Sequence, residues 1–330
     1  MNVLILGITG AFGQSVAEIL LAQDPQTVSF PLLATVRSVS KAKRLFPKTP
    51  DTKLVFLEGD VQSKDNMSAK GVGRVALDYI VFGINYGYAQ WDPLMYSALE
   101  RVIALAKETN ATIVFPGNVY NLKPVYDTPL KEDHACEPIT KKGRIRQKME
   151  DMIRDSKVRC LNVRASDFFG PSLKNPFQQM LFENPLKLGR SIMWVGAMTG
   201  RHEWVVLPDL ANAVAQLMVK HHASPKNESE YEVFHFKGIV ADNKEVVKTI
   251  QQEVEAINGK KVGCIALPWW LLKINGLVDS DIAEFIELRY LKDNNVELSN
   301  EKLTRFLPAL KPLTSLQESV RLTLKSFNSN

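Results

Sequence analysis

This chain of 330 residues has few cysteines, no long apolar run and no block of like charge. Its three cysteines, Cys136, Cys160 and Cys264, are far apart and form no Cys-x-x-Cys pair. Neither a disulfide framework nor a structural zinc site is expected, and the thiols are read as reduced. His221-His222 have no carboxylate or cysteine at ligand spacing, so no metal is expected there or elsewhere. The most apolar later stretch, 264–278, is interrupted by Pro268, Lys273, Asn275 and Gly276, which excludes a bilayer-spanning helix there. Lysine plus arginine (41) against aspartate plus glutamate (36) leaves a formal charge of +5. With no run of five or six like charges, a nucleic-acid partner is not expected. Met1-Asn2-Val3-Leu4-Ile5-Leu6 contains no basic stretch or cleavage site, and the expectation is a soluble cytoplasmic protein with no membrane partner. Hydrophobic residues at 45% and charged residues at 23% exclude global disorder.

What is present is an alternation of two periods. Val3–Leu6 is a continuous apolar run, suited to a strand buried on both faces, and a helix follows from about Ala11. Further strands are read at 32–36, 53–60, 79–82, 112–115, 158–163 and 233–236, with helices at 94–110, 141–155 and 209–219. A polar turn is read at Asn227–Glu230. Strands alternating with helices predict βαβ units with right-handed crossovers. The fold class is α/β: a Rossmann doubly wound parallel sheet with a smaller mixed C-terminal substrate domain. Residues 1–170 are read as the dinucleotide-binding domain, with 201–238 returning to it; 171–200 and 239–330 are read as the substrate-binding part.

Between the first strand and first helix stand Gly7-Ile8-Thr9-Gly10-Ala11-Phe12-Gly13. Two of these glycines let the backbone turn tightly and approach a pyrophosphate, and the third lets helix and strand pack closely. The helix N-terminus then presents N–H groups to the phosphate oxygens. Gly7, Thr9, Gly10, Ala11, Phe12 and Gly13 are the candidate contacts, and a ligand-free glycine turn is the alternative. Where an NAD site wants a carboxylate for the ribose 2′-hydroxyl, the second strand ends in Val36-Arg37-Ser38. A guanidinium suits a 2′-phosphate, so the cofactor is inferred to be NADP(H), with Arg37 as its contact, ahead of NAD(H). After the third strand, Gly59-Asp60-Val61 offers Asp60 and Val61 as adenine contacts, or Asp60 as a turn residue.

These landmarks, together with Gly117-Asn118-Val119-Tyr120, Arg164 to Pro171 and Trp204 to Ala211, resemble the extended and atypical short-chain dehydrogenase/reductases, the NAD-dependent epimerase/dehydratase relatives. The resemblance covers nearly the whole chain. It implies a nicotinamide dinucleotide on the Rossmann domain and a substrate pocket formed by the C-terminal region. It also implies a Ser or Thr after the fifth strand, a proton-passing Tyr, and a Lys four residues on that binds the nicotinamide ribose.

This chain departs from that set. No Ser or Thr lies between Ile113 and Tyr120, and where Tyr-x-x-x-Lys is expected stands Arg144-Ile145-Arg146-Gln147-Lys148. Lys148 is therefore the candidate ribose-binding and catalytic residue, and Tyr120 a candidate proton donor from the adjacent loop. Asn118, Arg144 and His202 are candidate substrate contacts. The basic stretch 141–148 suits an anionic small-molecule substrate, or is a solvated face. Asp209 is read as a structural cap for the following helix. Trp269-Trp270 are read as packing, a substrate lining or a subunit interface, and the resemblance leaves a homodimer open. The reading is an NADP(H)-binding oxidoreductase acting on a small carbonyl or hydroxyl substrate. The alternative is a non-catalytic dinucleotide sensor, favoured by the missing Ser and Tyr.

Overall fold

The computed structural model describes residues 1–73, 75–171, 173–224 and 231–328; the turn expected at Asn227–Glu230 lies outside them. The main sheet contains β1 (Val3–Leu6), β2 (Leu32–Val36), β3 (Leu54–Glu58), β4 (Tyr79–Phe82), β5 (Thr112–Asn118), β6 (Cys160–Ala165) and β10 (Tyr231–Phe236). Its order is β10-β6-β5-β4-β1-β2-β3. Every pairing in it is parallel. β1 and β4 are buried at every position, which explains their unbroken apolar sequence: both faces of the sheet are covered. Strand order reverses between β1 and β4, and the crevice at such a switch point is where doubly wound folds bind ligands.

Helices α1 (Ala11–Leu21) and Leu207–Ala223 cover one face, with Phe12, Val16, Leu20, Leu210, Val214 and Leu217 in a common core. Helices α2 (Val39–Leu45), α3 (Trp91–Thr109) and α4 (Lys141–Ser156) follow in chain order. The core on the opposite face takes Met95, Leu99 and Val102 from α3 and Ile145, Met149 and Ile153 from α4. In each case the apolar side chains recur at the three- and four-residue spacing of a helix face.

β5 runs on to Asn118, past the Phe115 end expected from Pro116 and Gly117. Pro116 pairs with Val163 and Gly117 with Arg164 of β6. A Cβ on Gly117 would lie 2.3 Å from Asn162 Oδ1, so glycine here serves close approach rather than strand termination.

The smaller part has a three-stranded sheet of β7 (Asp167–Phe169), β9 (Arg201–Val206) and β11 (Ile239–Asp242), and a parallel pair of β8 (Ile192–Val195) and β12 (Cys264–Leu267). The 201–238 stretch is thus divided: β9 lies in the small sheet, while the helix Leu207–Ala223 and β10 join the main layer. Asp209 does not cap its own helix. Its carboxylate accepts from Thr314 N–H (2.8 Å) and Oγ1–H (2.7 Å), which anchors the C-terminal tail. Trp269 stacks on Phe285 and donates to Asp293, whereas Trp270 is 63% exposed. No helix among the described residues is long and apolar enough to cross a membrane.

Candidate functional site

The turn between β1 and α1 is shaped by close backbone contact. Gly7 has φ +72°, and a Cβ there would lie 2.3 Å from the carbonyl oxygen of Gly83. A Cβ on Gly13 would lie 2.5 Å from the carbonyl oxygen of Gly7. The three glycines bring the ends of β1 and β4 and the first turn of α1 into contact. Sequence reasoning missed Gly83, because a lone glycine after a strand carries no pattern; only the tertiary approach reveals its role. Gly10 occupies the N-cap of α1 in an extended conformation, and no side chain caps this helix. Its first N–H groups and partial positive charge are thus available to an anion. Thr9, Ala11 and Phe12 fall in this turn, as the sequence placed them.

Arg37 follows directly on β2, is exposed, and forms no ion pair among the described residues. Beside it, Ser38 caps α2 by accepting from Lys41 N–H (3.4 Å). Asp60 takes the turn role: its Oδ1 accepts from Gln62 N–H (2.8 Å), and its own N–H donates to Asn66 (3.0 Å). Val61 packs against the core beside it.

At the other end of the crevice, α4 presents two different faces. Lys148 and Arg144 are exposed, and Lys148 Nζ sits 4.2 Å from the Tyr96 ring centroid on the outer face. The inner face carries Lys142, Arg146 and Glu150, one helical turn apart and all buried. The basic stretch is therefore neither wholly solvated nor wholly functional; it is divided by helical period. Lys142 donates to Glu284 and also lies 3.8 Å from Glu287. Arg146 donates to the carbonyl oxygen of Pro116 and lies 4.6 Å from the Phe115 ring centroid. Glu150 forms a buried two-point ion pair with Arg164 (3.2 and 2.6 Å). Burial opposes ionisation of both partners, but their mutual attraction prevails, so Glu150 is held below and Arg164 above its usual range.

Tyr120 lies beside this face. Its hydroxyl is 3.1 Å from that of Tyr88, and its N–H donates to Asn118 Oδ1 (3.1 Å). Burial and the Tyr88 neighbour push Tyr120 well above the ordinary tyrosine value, while burial takes Tyr88 up to about 12. Both phenols are therefore protonated near neutrality. His202 Nε2 donates to Asp167 (2.8 Å), which also receives Lys292. Burial would raise Asp167, but Lys292 and His202 hold it well below the carboxylate range. His202 is thus bound into an ion cluster. A polar cavity of about 150 Å3 opens beside Lys292, with Tyr126, Arg201, Asn243 and Asn295 on its walls.

The helix Ser280–Ile286 meets this end through carboxylates. Asp281 accepts from Ala89 N–H (2.9 Å), and Glu284 binds Lys141 (2.8 Å) and Lys142. Just beyond the helix, Glu287 accepts from the N–H groups of Lys141 (2.8 Å) and Lys142 (2.7 Å) at the start of α4. The four-residue spacing of Lys142, Arg146 and Glu150 was visible in the sequence. Nothing local signalled Glu284, Glu287 or Lys292. No group of three metal-ligating side chains occurs among the described residues.

A parallel sheet with this strand order and a glycine cradle at its switch point defines a doubly wound nucleotide-binding class. Residues 3–233 match the NAD dependent epimerase/dehydratase family, and the chain belongs to it. No curated protein sequence matches the chain. Among solved structures it is similar to the Bordetella bronchiseptica enzyme WbmH in complex with NAD+ (19% identity, TM-score 0.73, 99% of this chain and 98% of that one). It is also similar to DesIV, a dTDP-glucose 4,6-dehydratase from Streptomyces venezuelae with NAD and TYD bound (17%, TM-score 0.76, 100% and 98%). A UDP-glucose 4-epimerase from Thermus thermophilus in complex with NAD aligns at 14% identity (TM-score 0.72, 99% of both chains). At these identities the likeness is one of fold.

Proposed function

We propose that this protein binds a nicotinamide dinucleotide, NADP(H) ahead of NAD(H), and serves as an oxidoreductase for a small polar carbonyl or hydroxyl substrate. The observation that carries the reading is the uncapped first turn of α1 seated on Gly7, Gly13 and Gly83, with unpaired Arg37 at the end of β2. The N–H groups of α1 suit a pyrophosphate, and the Arg37 fork suits a 2′-phosphate. When bound, a dinucleotide of this kind supplies hydride chemistry. The chain's own residues would orient the substrate and supply the proton: Tyr120, two residues past the end of β5 and hydrogen-bonded to Tyr88, is the candidate donor. The cavity beside Lys292, about 150 Å3, suits a small polar molecule.

Titrating the dialysed protein with NADPH and with NADH, read by fluorescence, tests this. NADPH should bind the more tightly, and Arg37→Ser should remove most of that preference, about tenfold or more, without changing the melting temperature. Equal affinities in the wild type would remove NADP(H) from the reading. A second reading, a dinucleotide sensor without turnover, is favoured by the Lys142–Glu284 pair closing the reaction end. Tight dinucleotide binding without oxidation across a panel of carbonyl compounds would select it.

A further inference from the structure

We propose that the protein docks on an anionic membrane surface through the segment 260–278, with the helix Trp269–Asn275 and the turn after it entering the headgroup layer. This inference is independent of the dinucleotide reading. The helix has two unlike faces. Leu272 is buried, and Trp269 stacks on Phe285 and donates to Asp293, which fastens the helix to the body of the protein. Trp270 and Ile274 are exposed and, four residues apart, are neighbours on the outer surface. The turn that follows stays on the helix: Leu277 N–H donates to the carbonyl oxygen of Ile274 (3.1 Å), and Val278 N–H to that of Asn275 (3.1 Å). At this tip Leu277 is 84% and Val278 91% exposed. The four apolar side chains therefore form a contiguous protrusion that the fold itself does not bury.

Charge decides what covers this tip. Residues 260–278 contain three lysines, Lys260, Lys261 and Lys273, and no carboxylate. Lys273 is exposed between Trp270 and Ile274, and neither it nor Lys260 forms an ion pair among the described residues. Lys260 meets the turn before β8, where a Cβ on Gly189 would lie 3.6 Å from its Cδ. Arg190 in that turn is exposed and likewise without an ion pair among the described residues. The carboxylates that follow are turned to backbone: Asp279 accepts from the N–H groups of Asp281 (2.9 Å) and Ile282 (3.1 Å), and Asp281 from that of Ala89 (2.9 Å). Apolar side chains interleaved with free cations match acyl chains lying beneath anionic headgroups, and tryptophan favours that boundary. A two-fold contact with a second copy, centred on the tip, would instead set Lys273 against its own equivalent. The helix has seven residues and is about 10 Å long, so it rests on the surface and does not cross it. The lack of a spanning run, from which no membrane partner is expected, does not bear on such a one-sided contact.

The test is co-sedimentation of the whole chain with vesicles of phosphatidylcholine alone and of phosphatidylcholine mixed with phosphatidylserine. The wild type should partition about tenfold or more strongly into the mixed vesicles, and added salt should reduce the difference. Leu277→Ser combined with Val278→Ser should weaken that partitioning about tenfold or more. Lys273→Glu should weaken it by about tenfold through charge alone. Both variants change exposed side chains, so their melting temperatures should match the wild type. No binding to either vesicle, or equal partitioning into both, would overturn the proposal. Undiminished binding by either variant would do the same, by moving the contact to another surface. A wild-type dimer in sedimentation equilibrium that the double serine variant dissociates, with no lipid binding, would overturn it in favour of a second copy on this tip.

Discussion

The two sides of the central crevice solve their polar accounting in opposite ways. On the β1–β2 side, groups are left open: among the described residues, the N-terminus of α1 has no side-chain cap and Arg37 has no carboxylate partner. On the β4–β5 side, nearly every charge is answered by a residue distant in the chain. Lys142 meets Glu284, Asp167 meets Lys292 and His202, and Glu150 meets Arg164. The open side is built from consecutive residues 7–13 and 37, so one loop and one strand end suffice. The closed side needs α4, β6, β7 and the C-terminal segment together. Groups left open to solvent can be encoded locally, whereas a buried charge cluster must recruit partners wherever the fold brings them.

The contrast can be broken most severely at the buried ion pair. Arg164→Leu leaves Glu150 without its counter-charge and should cost about 3–5 kcal/mol in urea unfolding, whereas Arg164→Leu with Glu150→Leu should recover most of it. A loss below about 1 kcal/mol for the single variant would show that the closed side does not depend on pairing. On the open side, Gly13→Ala places a Cβ 2.5 Å from the Gly7 carbonyl oxygen. Overpacking of this kind should cost about 1–3 kcal/mol and, more tellingly, abolish NADPH binding. Retained affinity would mean that the cradle does not receive phosphate.

The smallest effect is a pH slope. Glu203 is buried, and burial raises it to about 7 although the N–H groups of Leu298 (2.7 Å) and Gly238 (3.1 Å) donate to it. Because its folded value lies above the unfolded one near 4.3, the protonated carboxyl is the form the fold favours. That contribution is fully present below about pH 4.3 and is lost as pH rises through about 7. Stability should therefore fall by at most about 1.4 kcal/mol per pH unit across this window, and Glu203→Gln should flatten the slope. An unchanged slope in the variant would assign it to other groups.

The strands, the α/β class and the glycine loop were legible because each depends on neighbours in sequence. Val3–Leu6 must be apolar throughout to sit between two helical layers, and Gly7 must be glycine to hold φ +72°. On α4 only the spacing was legible: Lys148, read as the ribose and catalytic candidate, and Arg144, read as a substrate contact, are exposed, whereas Lys142 and Arg146 are buried. A shift of two residues on a helix is about 200° of rotation, which exchanges the buried and the solvated face.

The amino-acid pattern alone determined the order of elements, the parallel sheet and the glycine turn after β1, since hydrophobic period and glycine act over a few residues. Tertiary structure alone decided which of the α4 cations face inward, that Gly83 packs against Gly7, and that Glu284 and Glu287 meet the start of α4 and Lys292 meets Asp167. Those outcomes depend on contacts between residues far apart in the chain, as between Gly7 and Gly83 or between Lys142 and Glu284, and no local period encodes them.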